Sequence, residues 1–401
     1  MTQNRLGNLN SLLEEAKSVA REVENEKMEE NVKEALAKAT ADPMSIYKAM
    51  KWYPRFVVWE LTLACNMSCA HCGSSAGASR ADELNLDEML RVCDELGELE
   101  CERLTLLGGE PLIHPHWEDI AARLQKNNVR VNVITNGWTL HEEDLCDRLK
   151  RAGLTIIGIS IDGLEKSHDK MRRPGSFKRI EKGMDLLKER GISMAVCTVI
   201  TSDSIKDLDG LYDFIIDKGV KVWQIQIASP LGRLKPDDPL IIKPEQIKEV
   251  YDVFYEKRKR KDNIHIDFAD DVGYYPPWKE GYIRNTRKGG TLWVGCHAGI
   301  QILGIDSNGN IKGCQSLPST PEYIEGNIRE HSLKELWEDP NNFKYNRQFT
   351  MSQLKGYCAE CKYGPLCKAG CSSAAISHTG SVGENPMCIY RVMMQKGVCS
   401  A

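Results

Sequence analysis

Residues 56–72 read Phe-Val-Val-Trp-Glu-Leu-Thr-Leu-Ala-Cys-Asn-Met-Ser-Cys-Ala-His-Cys. The run Phe56–Leu63 is rich in β-branched and aromatic residues and predicts a strand. The loop leaving its C-terminal end carries Cys65, Cys69 and Cys72 in a Cys-x3-Cys-x2-Cys spacing. Three thiolates on one loop can hold three irons of a 4Fe–4S cluster and leave the fourth iron for a small molecule. A structural zinc site wants four protein ligands, and His71 is squeezed between two of the cysteines.

The surrounding 401 residues support metal chemistry. Hydrophobic residues make up 41% and charged residues 27%, a globular composition that excludes a disordered chain. A formal charge of -4 gives no global pull toward nucleic acid, and none is expected as a partner. No run of eighteen apolar residues reads as a membrane span, and the N-terminus lacks the apolar core of a signal peptide. A cytoplasmic location is therefore expected, and there 15 cysteines imply metal or redox chemistry rather than disulfides.

Outward from the first cysteines, strands and helices alternate. Strands are predicted at Phe56–Leu63, Leu104–Leu107, Val129–Thr135, Thr155–Ile161, Ser193–Ile200 and Val222–Ile227. Helices are predicted at Asp87–Leu96, Trp117–Lys126, Glu142–Ala152, Phe177–Arg190 and Ile205–Lys218. Repeated βα units imply a parallel sheet, and six units predict a partial (β/α)6 TIM-like barrel of the α/β class. The expected organisation is a helical extension over 1–50, a core over 51–228, a connecting segment over 229–295 and a small cysteine-rich domain over 296–401. The apolar stripes of 1–50, from Leu12 to Leu36, predict packing on the main domain.

The predicted strand ends carry polar groups. The second strand ends in Gly108-Gly109-Glu110-Pro111, the third in Thr135-Asn136-Gly137, the fourth in Ser160-Ile161-Asp162-Gly163. Parallel α/β sheets bind ligands at this edge. The glycines allow close backbone approach to a ligand, although the same four residues also suit an ordinary βα turn.

In this combination the sequence resembles the radical S-adenosylmethionine (SAM) superfamily, over about 170 residues. The resemblance implies that Cys65, Cys69 and Cys72 hold a cluster whose open iron is chelated by SAM, and that reductive cleavage yields a 5′-deoxyadenosyl radical that abstracts hydrogen from the substrate. It implies that Gly108, Gly109 and Glu110 hold the methionyl amino group, that Ser160 meets the ribose or carboxylate, and that His71 packs near adenine. Arg172 and Arg173 follow Asp162-Gly163 and can pair with the carboxylate, or form a solvated basic turn.

Seven later cysteines form a second pattern: Cys296, Cys314, then Cys358-x2-Cys361-x5-Cys367-x3-Cys371, then Cys388. Zinc sites are the rival reading. With Gly309, the pattern resembles the SPASM extension of radical SAM enzymes. The resemblance implies two auxiliary clusters: Cys296, Cys314 and Cys371 hold the first, and Cys358, Cys361, Cys367 and Cys388 the second. No thiol follows Cys296 closely, so the first cluster has an open iron, or His297 or a distant residue fills it. Such clusters can accept the electron left on a substrate radical, or can simply staple a small domain. Cys93, Cys101, Cys146 and Cys197 read as buried small hydrophobes, and Cys399 as an exposed thiol.

The expected function is a radical SAM oxidoreductase that matures a peptide or protein, served by a reductant such as flavodoxin or ferredoxin. Residues 1–50 are too short and too helical for the leader-binding domain that many peptide maturases carry, and a separate recognition protein could substitute. The alternatives are an enzyme acting on a small molecule or cofactor precursor, and a non-catalytic iron–sulfur or zinc scaffold.

Overall fold

The computed structural model of the protein describes residues 30–260, 262–269, 273, 275 and 293–395. Six strands follow the βα alternation: β1 (Phe56–Thr62), β2 (Arg103–Gly108), β3 (Arg130–Thr135), β4 (Ile156–Ser160), β5 (Met194–Ile200) and β6 (Val222–Ile227). They pair in parallel and in chain order. β1 shows how the sequence sets the two faces. Val57, Trp59 and Leu61 are buried in the core shared with the helices. The alternate residues Phe56, Val58 and Glu60 face the interior cavity.

The covering helices pack on the outer face. Leu86–Glu98 starts at a reciprocal cap between Asn85 and Glu88 and buries Met89, Val92, Cys93 and Leu96, a single stripe at helical spacing. Trp117–Lys126, Glu143–Arg151, Ser176–Glu189 and Leu208–Asp217 repeat the arrangement after later strands. A short helix, Glu165–Met171, is added after β4.

Three features depart from the sequence reading. The connecting segment supplies a seventh parallel strand, β7 (His265–Phe268), after the helix Ile247–Lys259. It escaped notice because only Ile266 of its four residues is buried, so it has no apolar pattern. The cysteine-rich region is not separate from the sheet. Its β8 (Ile302–Ile305) pairs in parallel with β1, and β9 (Asn310–Lys312) and β10 (Gly326–Asn327) continue antiparallel. The sheet is an open partial barrel with β10 and β7 at its edges.

The third departure concerns the N-terminal extension. Its stripe from Leu12 to Met28 lies outside the described residues. Residues 30–41 and Ser45–Lys48 are helical. Val32, Ala39 and Tyr47 of these helices, with Met44 between them, pack with Val294, Ile300, Leu354, Leu366 and Ala369 of the C-terminal region rather than on the barrel helices. Tyr47 Oη donates to the Cys296 carbonyl at 2.7 Å, and the ring carries Lys368 Nζ at 4.4 Å from its centre.

Candidate active site and cluster cysteines

The cysteine loop is held by its own backbone and neighbours. Cys65 N–H donates to the Gly77 carbonyl at 2.9 Å and Gly77 N–H to the Leu63 carbonyl at 3.0 Å. Glu83 accepts from Leu63 N–H at 2.8 Å and Arg80 N–H at 3.1 Å. Arg233, from the loop after β6, donates to the Cys69 carbonyl at 2.9 Å and to the Ala76 carbonyl, while its own N–H meets the Cys72 carbonyl at 3.1 Å. Asn136 Nδ2 donates to Asn66 Oδ1 at 2.7 Å and lies 3.7 Å from Cys65 Sγ. Sequence alone gave no signal for Arg233. Asn136 stood out only as a polar strand end.

Cys65, Cys69 and Cys72 line a cavity of roughly 740 Å3. It reaches from Phe56 and Arg103 in the barrel interior to Cys314 and Ser373 of the C-terminal region. His71, Gly108, Gly109, Ser160 and Arg172 also line it, so five of the six residues singled out for SAM meet at one place.

Glu110 is the sixth, and it is turned away. Its carboxylate is fully buried and accepts from Thr135 Oγ1 at 2.8 Å, Asn136 N–H at 2.7 Å and Leu112 N–H at 3.1 Å. Burial pushes its pKa up to about 7, and the three donors oppose the rise. Glu110 therefore ties the end of β2 to the end of β3. The glycines before it serve close approach. A Cβ on Gly108, at φ 143°, would collide with the Thr62 carbonyl, and one on Gly109 with the Ala64 carbonyl. The end of β2 thus packs directly on the start of the cysteine loop.

Arg172 is likewise committed to the protein. It donates to Asp162 Oδ2 at 2.5 Å and Oδ1 at 3.1 Å, and His71 Nε2 lies 3.2 Å from the same carboxylate. Asp162 is fully buried, and Arg172 and then His71 hold its carboxyl well below the usual range despite burial. Arg172 is thus neither a free carboxylate clamp nor part of a solvated turn. Arg173 is exposed, stacked 3.7 Å over Trp138, and donates to the Asn66 carbonyl at 3.0 Å. His168 completes the buried group. Its Nδ1 accepts from Asp162 N–H at 3.3 Å, its Nε2 lies 3.1 Å from Ser176 Oγ, and burial pushes its pKa down to about 4.

The later cysteines fall into two places. Cys358, Cys361, Cys367 and Cys388 line one small cavity of about 30 Å3, walled by Tyr275, Tyr357, Tyr363 and Tyr390. Burial raises the thiol pKa of Cys388 to about 12, and Cys358 and Cys361 add to the rise. Thiols so placed stay protonated, and a bound cation would favour their thiolates. Cys296 and Cys314 instead share an apolar cluster with Ala298, Leu317, Tyr323, Ile376 and Tyr345. Cys371 begins the helix Ser372–Thr379, whose Ser373 Oγ donates to the Ser316 carbonyl at 2.5 Å, close to Cys314 in the chain. Among the described residues no three His, Cys, Asp or Glu side chains converge as they would on a single metal ion. Cys93, Cys101 and Cys146 are buried, Cys197 lies in β5, and Cys399 is outside the described residues.

Comparison with known proteins defines the class. Residues 59–215 match the radical SAM superfamily, and residues 296–362 match the SPASM iron–sulfur cluster-binding domain. The chain belongs to the radical SAM superfamily and is a radical SAM enzyme with a SPASM domain; SAM and iron–sulfur clusters are its cofactors.

Among named relatives, it is 31% identical over 354 residues to the AdoMet-dependent heme synthase of Methanosarcina barkeri, covering 86% of this chain and 98% of that protein. It is 26% identical over 346 residues to the mycofactocin maturase MftC of Mycolicibacterium smegmatis, covering 84% and 83%. The fold is shared with SuiB of Streptococcus suis bound to S-adenosylmethionine (TM-score 0.66, 17% identity, 84% of this chain and 76% of that one). It is also shared with anSMEcpe bound to AdoMet (TM-score 0.65, 18% identity, 86% and 98%). Among the described residues no helix is long and apolar enough to cross a membrane.

Proposed function

We propose that the enzyme oxidises an unactivated C–H position of a carboxylated tetrapyrrole. The observation that carries this reading is the similarity to AdoMet-dependent heme synthase along nearly the whole of that protein. Fe-coproporphyrin III synthase and pre-heme d1 synthase, at 23% and 25% identity, point to the same substrate class. The cavity's apolar walls, from Met67, Leu107, Val199, Leu231 and Leu317, suit a flat ring, with Arg103 among the cations that line it. Its other cations have partners in the protein: Arg80 pairs with Glu60, Arg172 with Asp162, Lys312 with Asp306, and Arg233 with the Cys69 and Ala76 carbonyls.

SAM held at the first cluster supplies, on one-electron reduction, the radical that takes the substrate hydrogen. This chain's residues position it. Cys65, Cys69 and Cys72 would hold the cluster. The backbone at Gly108 and Gly109 would meet the methionyl amino group, and Ser160 the ribose or carboxylate. His71 donates through Nε2 to Asp162, which leaves its buried and unpartnered Nδ1 as acceptor for an adenine amino group. The C-terminal clusters would accept the electron remaining on the substrate, and Cys314, assigned to one of them, shares the cavity with Cys65, Cys69 and Cys72. A flavodoxin or ferredoxin is the kind of reductant the first step requires.

A second reading, maturation of a peptide or protein with a separate recognition protein, is favoured by the similarity to the mycofactocin maturase. Anaerobic turnover with SAM and dithionite separates the two. Iron coproporphyrin should change mass with matching formation of 5′-deoxyadenosine. An unchanged porphyrin, with modification of a precursor peptide instead, would replace the first reading by the second.

A further inference from the structure

Three buried tyrosines use their hydroxyls on backbone carbonyls: Tyr47 on Cys296 at 2.7 Å, Tyr251 on Gly273 at 2.8 Å, and Tyr275 on Trp293. Tyr345 differs. Its Oη is shut off from solvent and has no hydrogen-bond partner among the described residues. A phenol in that position ordinarily finds an acceptor.

Its neighbours are two of the cysteines and a glycine. The Tyr345 ring packs in the apolar cluster that holds Cys296 and Cys314, edge-on to Tyr323 at 6.1 Å. Burial pushes its hydroxyl pKa well above the usual range, and Cys296, Glu325 and Cys314 add to the rise. Its hydroxyl lies against Gly313, the residue before Cys314, and a Cβ there would collide with Oη. Glycine at 313 makes room for the hydroxyl beside the cysteine. His297, the other group considered for this cluster, instead lies between the Tyr47 ring at 6.2 Å and the Trp293 ring at 6.4 Å.

We propose that the Tyr345 hydroxyl donates a hydrogen bond to a sulfur of the first auxiliary cluster and raises that cluster's reduction potential. The inference rests on the assignment of Cys296, Cys314 and Cys371 to that cluster. A hydrogen bond to cluster sulfur stabilises the more negative, reduced state, so its removal lowers the potential. Tyr345 would thereby make this cluster a better acceptor for an electron leaving the substrate.

The test is Tyr345→Phe in the anaerobically reconstituted full chain, followed by redox titration with electron paramagnetic resonance. Expected are unchanged iron per chain, a lower potential for one auxiliary cluster only, and loss of an exchangeable proton coupling to that cluster in pulsed spectra from H2O and D2O. Unchanged potentials with the proton coupling retained would overturn the proposal. So would loss of iron from one cluster, because the phenol would then be a ligand rather than a donor. Cys314→Ala run in parallel should abolish the signal of the same cluster. If that signal survives, the cysteine assignment has failed rather than the role of Tyr345 alone.

Discussion

Glu110 and Asp162 are both fully buried carboxylates beside the SAM site, yet they are held in opposite ways. Glu110 has three neutral donors and no cation in contact, so burial wins and its pKa rises to about 7. Asp162 has Arg172 and His71, so its carboxyl stays ionised. Glu110→Gln puts an amide NH2 against groups that are themselves donors, and the apo-protein should lose about 1–3 kcal/mol in urea unfolding. A raised folded pKa contributes stability that is fully present below the ordinary value of 4.5 and is lost as pH rises through about 7. The gap between wild type and variant should therefore narrow across that window; a widening gap would contradict the environment described. Arg172→Ala strands a buried charge and should cost about 3–5 kcal/mol at neutral pH. Asp162's contribution is present above the ordinary carboxylate range and lost as pH falls, so this penalty should shrink in acid. A penalty independent of pH would count against the pair. The sequence marked Glu110 as a site residue and Asp162 as part of a polar strand end. Apart from Leu112, their partners come from distant segments, such as the end of β3, the cysteine loop and Arg172, and no local pattern reports those.

At the scale of elements, the β-branched and aromatic content of Phe56–Thr62 made β1 legible, and its first four residues alternate between half-buried and buried. The pairing of β1 with β8 was not legible. It joins Phe56 to Ile302, and only the folded topology brings such distant segments together. The N-terminal stripe was readable as amphipathic, but its target was not, because an apolar face does not name its partner. The contact between the end of β2 and the cysteine loop has a direct test. Gly109→Ala should displace the Ala64 carbonyl, cost roughly a third of the reconstituted iron if all three clusters are 4Fe–4S, and abolish SAM cleavage. Full iron with normal cleavage would show that the close approach is dispensable.

For the whole molecule, the open barrel and the C-terminal region share one sheet and one cavity, which puts Cys314 on the same walls as Cys65, Cys69 and Cys72. The second auxiliary set stands apart in its own small cavity. Replacing Cys358, Cys361 and Cys367 together by Ala should remove roughly a third of the iron and stop substrate oxidation while SAM cleavage persists. Unchanged iron would mean that these cysteines are not ligands. The cysteine spacings made both regions readable as cluster sites. The cavity joining them was unreadable because it is walled by residues from 56 to 374.

The most direct measurement follows deuterium from substrate to 5′-deoxyadenosine. Iron coproporphyrin deuterated on its carboxyethyl side chains is incubated anaerobically with SAM and dithionite, using wild type and the Cys65→Ala, Cys69→Ala, Cys72→Ala variant. The expected result is deuterated 5′-deoxyadenosine from wild type and no 5′-deoxyadenosine from the variant. Cleavage by the variant would contradict the role of the three cysteines, and unlabelled 5′-deoxyadenosine from wild type would contradict hydrogen abstraction from the tetrapyrrole side chain.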